Sequence, residues 1–158
     1  MSKRITLIQG HPDPDQRHLG HALADAYRAG AEEAGFEVRT INVADMTFPW
    51  IRSRIDFEDG ERPPAIVEAQ SVIRSSDHLV IFYPLWHGTL PALLKAFLEQ
   101  VFRYDFAFEP GRGGRYRQLL SNGAAQIDRC FICSKVSAPD GLFPEGRCFF
   151  LFIRIDAD

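Results

Sequence analysis

Apolar residues along this chain fall into two alternating kinds of run. Ile5-Thr6-Leu7-Ile8 is a short β-branched and aliphatic stretch that ends at Gly10, and such a run before a turn former predicts a buried strand. After a Pro-Asp-Pro-Asp turn, Leu19, Ala22, Leu23, Ala26, Tyr27, Gly30 and Ala34 recur at three- and four-residue spacing. That period predicts a helix, with Gly35 where a C-terminal cap falls. Residues 36–43 predict a second strand. Residues 45–62 mix Pro49, Trp50, Gly60 and several charges and predict a long surface excursion. Pro63 and Pro64 suit the first turn of a helix carrying Ile66, Val67, Ala69, Gln70 and Ile73 and ending near Asp77.

Leu79-Val80-Ile81-Phe82-Tyr83 then runs unbroken, as a central parallel strand buried on both faces does. Past the loop at 84–89, Leu90, Leu93, Leu94, Phe97, Leu98, Val101 and Phe102 predict an amphipathic helix. The order βαβαβα predicts an α/β fold: a doubly wound parallel sheet with helices on both faces, three layers α/β/α. Beyond Phe108 the pattern weakens. Residues 109–116, with Gly111, Gly113 and Gly114, predict a flexible loop. Residues 127–133 and 148–155 are candidates for two more strands, but residues 134–147 offer no clear crossover helix. No internal repeat or linker divides the chain, so residues 1–158 are expected to form one domain.

Composition narrows the partners. With 158 residues, 46% of them hydrophobic, the chain can bury a core without disulfide or metal staples. A net charge of -3 removes the broad basic face that nucleic acid or an anionic membrane requires. No apolar stretch approaches a membrane span or a signal-peptide core, so a cytoplasmic protein with reduced thiols is expected. The chemically active residues are unevenly placed: every His lies at or before His87, and Cys130, Cys133 and Cys148 all lie near the other end. Cys130-Phe131-Ile132-Cys133 has C-x-x-C spacing inside an apolar run with no nearby His, which reads as buried thiols rather than a zinc site. No metal site is expected. Arg112-Gly113-Gly114-Arg115 reads as a solvated loop.

In an open α/β sheet, ligands bind beyond the carboxyl ends of the strands. Two loops qualify. Residues 9–18 run into a helix N-terminus, which favours a phosphate, and His11 and His18 add donors. The loop is neither G-x-G-x-x-G nor a Walker loop. On these residues alone a second reading stands, in which Asp13 and Asp15 cap the helix and both His are solvated. The other loop, Pro84-Leu85-Trp86-His87-Gly88-Thr89-Leu90-Pro91, is stiffened by prolines, and Gly88 permits close backbone approach to a ligand. It can hold a flat isoalloxazine ring, with backbone N–H groups tuning it. The alternative makes Trp86 a core aromatic and His87 a surface residue.

Gln9-Gly10-His11-Pro12, Asp45-Met46-Thr47-Phe48, the stretch from Val80 to Lys95, Glu99-Gln100-Val101-Phe102 and Phe106-Ala107-Phe108 together resemble the flavodoxin-like NAD(P)H:quinone reductases. The resemblance covers roughly residues 4–120. It implies a flavodoxin-like fold and an oxidoreductase holding FAD, with FMN as the other possibility, at a homodimer interface. Hydride would pass from NAD(P)H through the flavin to a quinone-like acceptor. By position, His11, His18, Leu19 and Gly20 would lie against the flavin's phosphates and ribityl chain. Pro84, Leu85, Trp86, His87 and Gly88 would cradle its ring, and Phe106 and Phe108 would fall near the substrate. Some relatives are ancillary proteins of potassium efflux transporters, so a flavin-binding regulatory subunit is a second reading; a shortened chain with little activity is a third. The chain departs from the family where Ser and Asn often stand and this sequence has His18 and Gly20. After residue 120 the family's Gly-rich flavin-covering loop and its Tyr–His pair have no counterpart. No catalytic residue can be carried over, and an atypical or shortened C-terminal end is expected.

Overall fold

The computed structural model describes residues 3–110, 115–120 and 148–154. Strand β1 (Arg4–Gln9) leads through a loop into helix α1 (Leu19–Glu33), and Gly35, at φ +86°, turns the chain into β2 (Glu37–Asn42). That left-handed conformation is the cap the periodicity called for. The excursion that follows holds one 3₁₀ turn (Val43–Asp45) and a short helix α2 (Arg54–Glu58), whose cap is Ser53 Oγ accepting from the Asp56 N–H at 3.0 Å. Helix α3 (Pro64–Arg74), with proline at its first position, precedes β3 (His78–Pro84), and Pro91 introduces α4 (Ala92–Val101).

β1 is paired in parallel with β2 on one side and β3 on the other, Leu7 standing opposite Thr40 and Val80. The unbroken apolar run of β3 is explained by its two covered faces. Val80 and Phe82 pack with Ile5, Leu7 and Ala24 beneath α1. Leu79 and Ile81 pack with Ile8, Ile66, Ile73, Leu94 and Phe97 beneath α3 and α4. The three layers follow from that alternation.

Two features differ from the sequence expectation. Residues 109–116 are not loop throughout: β4 (Phe108–Pro110) and β5 (Tyr116–Gln118) pair antiparallel, with Glu109 opposite Arg117 and the two side chains ion-paired. The sheet is also not parallel throughout. Strand β6 (Cys148–Arg154) lies beside β3 and antiparallel to it, Ile81 opposite Leu151, giving the order β2-β1-β3-β6. The chain between β3 and β6 includes α4 and is long enough for either direction, and an unbroken apolar run carries no signal of direction. The candidate strand at 127–133, with its C-x-x-C pair, lies outside the described residues.

Candidate functional site

Both candidate loops emerge at the carboxyl edge of the sheet, from adjacent strands β1 and β3. Gly10 brings them together. Its N–H donates to the Phe82 carbonyl at 2.7 Å, and a Cβ at this position would stand 2.6 Å from Leu94 Cδ2 and 3.1 Å from the Phe82 oxygen. Only glycine permits this approach. Beyond it, the Gln9 amide, itself buried, donates to the Gly20 carbonyl at 3.1 Å and accepts from the His11 N–H at 3.2 Å. Gln9 thereby ties the strand end, the loop and the first turn of α1 together. Nothing but its polarity at the end of an apolar strand marked it in the sequence.

The first loop gathers three imidazoles. His11 and His18 stack with centroids 4.1 Å apart and planes 18° apart; His21 lies 5.7 Å from His11 and 6.3 Å from His18. His11 and His21 are buried, and His18 is half-buried. Asp13 organises them. Its backbone N–H donates to His11 Nδ1 at 3.1 Å, its carbonyl lies 3.3 Å from His21 Nε2, and its carboxylate lies 2.9 Å from His18 Nε2. Burial, and then the neighbouring His18, push His11 below its ordinary pKa of 6.5. The N–H of Asp15 and the ring of His18 hold the exposed Asp13 carboxyl below its usual range.

The capping reading of this loop is overturned. His18 occupies the N-cap of α1 with no side-chain cap, whereas Asp13 accepts from the Asp15 N–H and Asp15 from the Arg17 N–H within the loop. His21, one turn along the helix from His18, was absent from the expected site although its i, i+3 spacing put it on the same face.

The second loop is a tight two-residue turn. Trp86 and Thr89 exchange two backbone hydrogen bonds of 2.9 Å, and His87 and Gly88 between them have φ of +49° and +80°. Positive φ at both central positions defines the type I′ turn. The turn leaves the N–H groups of His87 and Gly88 outside its own hydrogen bonds and exposes residues 86–89. No atom lies within 4 Å of where a Gly88 Cβ would stand, so conformation rather than crowding requires the glycine. Pro84 is buried and Leu85 half-buried at its base. Trp86 is 48% exposed and not a core aromatic.

The two loops meet where the His11 ring stands 6.1 Å from Trp86, edge-on. A flat aromatic wall, accessible backbone donors and a cluster of imidazoles thus lie side by side. That donor set fits a flavin: a planar apolar ring system with polar edges and an anionic tail. Leu19 is half-buried and Gly20 buried at the start of α1. Phe106 is 3% exposed in the core, with the Arg74 guanidinium 5.1 Å over its ring, and Phe108 is half-buried at the start of β4. Among the described residues no group of three or more His, Cys, Asp or Glu side chains is placed to hold a metal ion, and no helix is long and apolar enough to cross a membrane.

Residues 3–127 match the family described as having a flavodoxin-like fold. The chain belongs to that family. Among flavodoxin-like relatives, it is 28% identical over 110 residues to a Haemophilus influenzae protein named an uncharacterized NAD(P)H oxidoreductase, covering 68% of this chain and 54% of that one. It is 26% identical over 152 residues to a Ruegeria pomeroyi FMN-dependent NADH:quinone oxidoreductase, covering 80% and 69%. The solved NAD(P)H:quinone oxidoreductase from Methanothermobacter marburgensis superposes with a TM-score of 0.57 at 26% identity, over 68% of this chain and 57% of that one. The chain spans about half the length of most of these curated flavodoxin-like relatives, between 45% and 58% for four of them.

Proposed function

We propose that this chain is a flavin-dependent NAD(P)H oxidoreductase acting on quinones or similar acceptors. The observation that carries the reading is the junction of the two loops, His11 against Trp86, at the carboxyl edge of a flavodoxin-like sheet. A flavin held here would supply hydride chemistry between NAD(P)H and the acceptor. The chain's residues hold and expose it. Trp86, with Leu85 and Pro84 beneath, offers a flat apolar wall to the ring. The N–H groups of His87 and Gly88, outside the turn's own hydrogen bonds, would offer donors to its polar edge, and the fixed type I′ turn would lower the ordering cost. His11 and His18, with Leu19 and Gly20 at the start of α1, face the phosphate end. Phe108, partly exposed, would line the acceptor side, whereas Phe106, expected there from the sequence, is 3% exposed in the core beneath the Arg74 guanidinium.

The finer assignments belong to the same proposal. The sequence resemblance implies FAD, whereas the FMN-dependent relative supports FMN; the residues above contact parts that both flavins share. A homodimer in the cytoplasm is the expected setting, and exposed Trp50 and Ile55 on the excursion, 60% and 71% accessible, support a partner surface.

Anaerobic addition of NADH and NADPH to the flavin-loaded protein tests the reading. One of them should bleach the flavin, and a quinone should restore its colour. Bound flavin that neither nucleotide reduces would contradict the proposed activity.

A further inference from the structure

Three imidazoles packed into one group are more than a phosphate contact requires. His11 and His18 stack at 4.1 Å with His21 beside them, and two of the three rings are buried. We propose that this cluster takes up protons when the phosphate or diphosphate of a flavin binds beside it, so that affinity for flavin rises as pH falls. The inference rests on the flavin reading above and adds a proton to its binding step.

Burial and the stacked His18 ring both disfavour a charge on His11, so His11 resists protonation in the absence of ligand. The lowered pKa of His11, caused first by burial and next by His18, is the same effect. An anion brought within a few ångströms reverses the local field and favours the charged rings.

The hydrogen bonds accommodate the change without rebuilding the loop. His11 Nδ1 accepts from the Asp13 N–H when neutral, and the same nitrogen lies 3.1 Å from the Asp13 carbonyl, to which it can donate once protonated. The Asp13 carboxylate, 2.9 Å from His18 Nε2, is 53% exposed and can turn aside for an arriving phosphate.

The other carboxylates around the cluster are ion-paired to arginines. The loop contributes Asp15, ion-paired to Arg17 at 2.6 Å. Helix α1 contributes Asp25, paired to Arg28 at 2.8 Å, along the cleft that His21 also lines. Strand β1 contributes the uncharged Gln9, and the turn after β3 faces His11 with the uncharged Trp86 and carries His87 next in sequence. Because the bound state holds more protons than the free state, the dissociation constant rises with pH, by at most about tenfold per pH unit for one linked proton.

The test is calorimetric titration of the full chain with FAD and with FMN, at pH 7 in two buffers of different ionisation enthalpy. The second pKa of the FMN phosphate, about 6, is then largely passed. The expected result is a buffer-dependent heat corresponding to net proton uptake, with Kd rising from pH 7 to 8. In His18→Ser, which alters a half-exposed loop residue, flavin should still bind, with smaller uptake and a flatter pH dependence; His11→Gln should act likewise. Binding with equal heats in the two buffers overturns the proposal, as does uptake unchanged in both variants. Failure of both flavins to bind at any pH overturns the flavin reading itself and this inference with it, so the two failures are distinguishable.

Discussion

Gly88 shows how one residue's conformation sets a site. Its φ of +80° follows the +49° of His87 in a turn that only glycine, asparagine or aspartate fits comfortably. Gly88→Val should therefore distort the turn and weaken flavin binding at least tenfold, whereas Gly88→Asn should stay within about threefold, read by flavin fluorescence titration. The glycine was legible in the sequence, whereas the positive φ that requires it was not; no protein atom crowds its missing Cβ. Gly10 is the reverse case. Gly10→Ala drives a methyl group toward the fully buried Leu94 and should cost about 1–3 kcal/mol in urea unfolding. A stability equal to the parent would show that the loop is not clamped there. His11 carries a pH signature. Its folded pKa lies below the unfolded 6.5, so the unfolded chain binds the extra proton and stability falls as pH drops through 6.5 toward the lowered value. Urea midpoints should be level above about pH 7 and decline below it, with a shallower decline in His11→Gln. That His11, His18 and His21 form one cluster was half legible: their spacing could be counted, but burial of two of them depends on Gln9 folding back onto the helix.

At the scale of elements, the helices and first three strands followed from apolar period, and the excursion between β2 and α3 did not. It looked like surface loop because its order comes from distant residues: the buried Gln100 donates to the Pro49 carbonyl at 2.6 Å, and Arg103 does more. Arg103, 1% exposed just past α4, donates to the carbonyls of Asp56 at 2.5 Å, Phe57 at 2.9 Å and Gly60 at 2.6 Å. It thereby caps the carboxyl end of α2 with a buried cation. Arg62 answers in the other direction, donating to the Tyr104 carbonyl at 2.7 Å. No local pattern can announce an arginine whose partners lie more than forty residues away. Arg103→Met should leave those partly buried carbonyls without their buried cation and destabilise the chain by about 1–3 kcal/mol. Hydrogen exchange should locate the loss, with faster exchange over residues 52–62 and the β1–β3 pairing protected as before. Uniform loosening of the sheet instead would show that Arg103 serves the core and not the excursion. The β4–β5 pairing was missed for a related reason: three-residue strands on either side of a Gly-rich segment are too short to show alternation.

At the scale of the whole molecule, the sheet order β2-β1-β3 puts two loops from neighbouring strands at one edge, and that adjacency is what makes a site of them. The order of elements alone pointed to it, because alternating strands and helices wind a parallel sheet. The antiparallel fourth strand could not be anticipated in the same way, since an apolar run at residues 148–155 is compatible with either direction. The family match runs from residue 3 through residue 127, so it includes β1, β3 and their loops. Flavin binding therefore depends on the edge formed by β1 and β3. Its most direct test is the visible absorbance of the purified chain after incubation with FMN or FAD and removal of free flavin. The account predicts a yellow protein holding about one flavin per chain, with the band shifted from that of free flavin by contact with Trp86. A colourless protein with either flavin would contradict it.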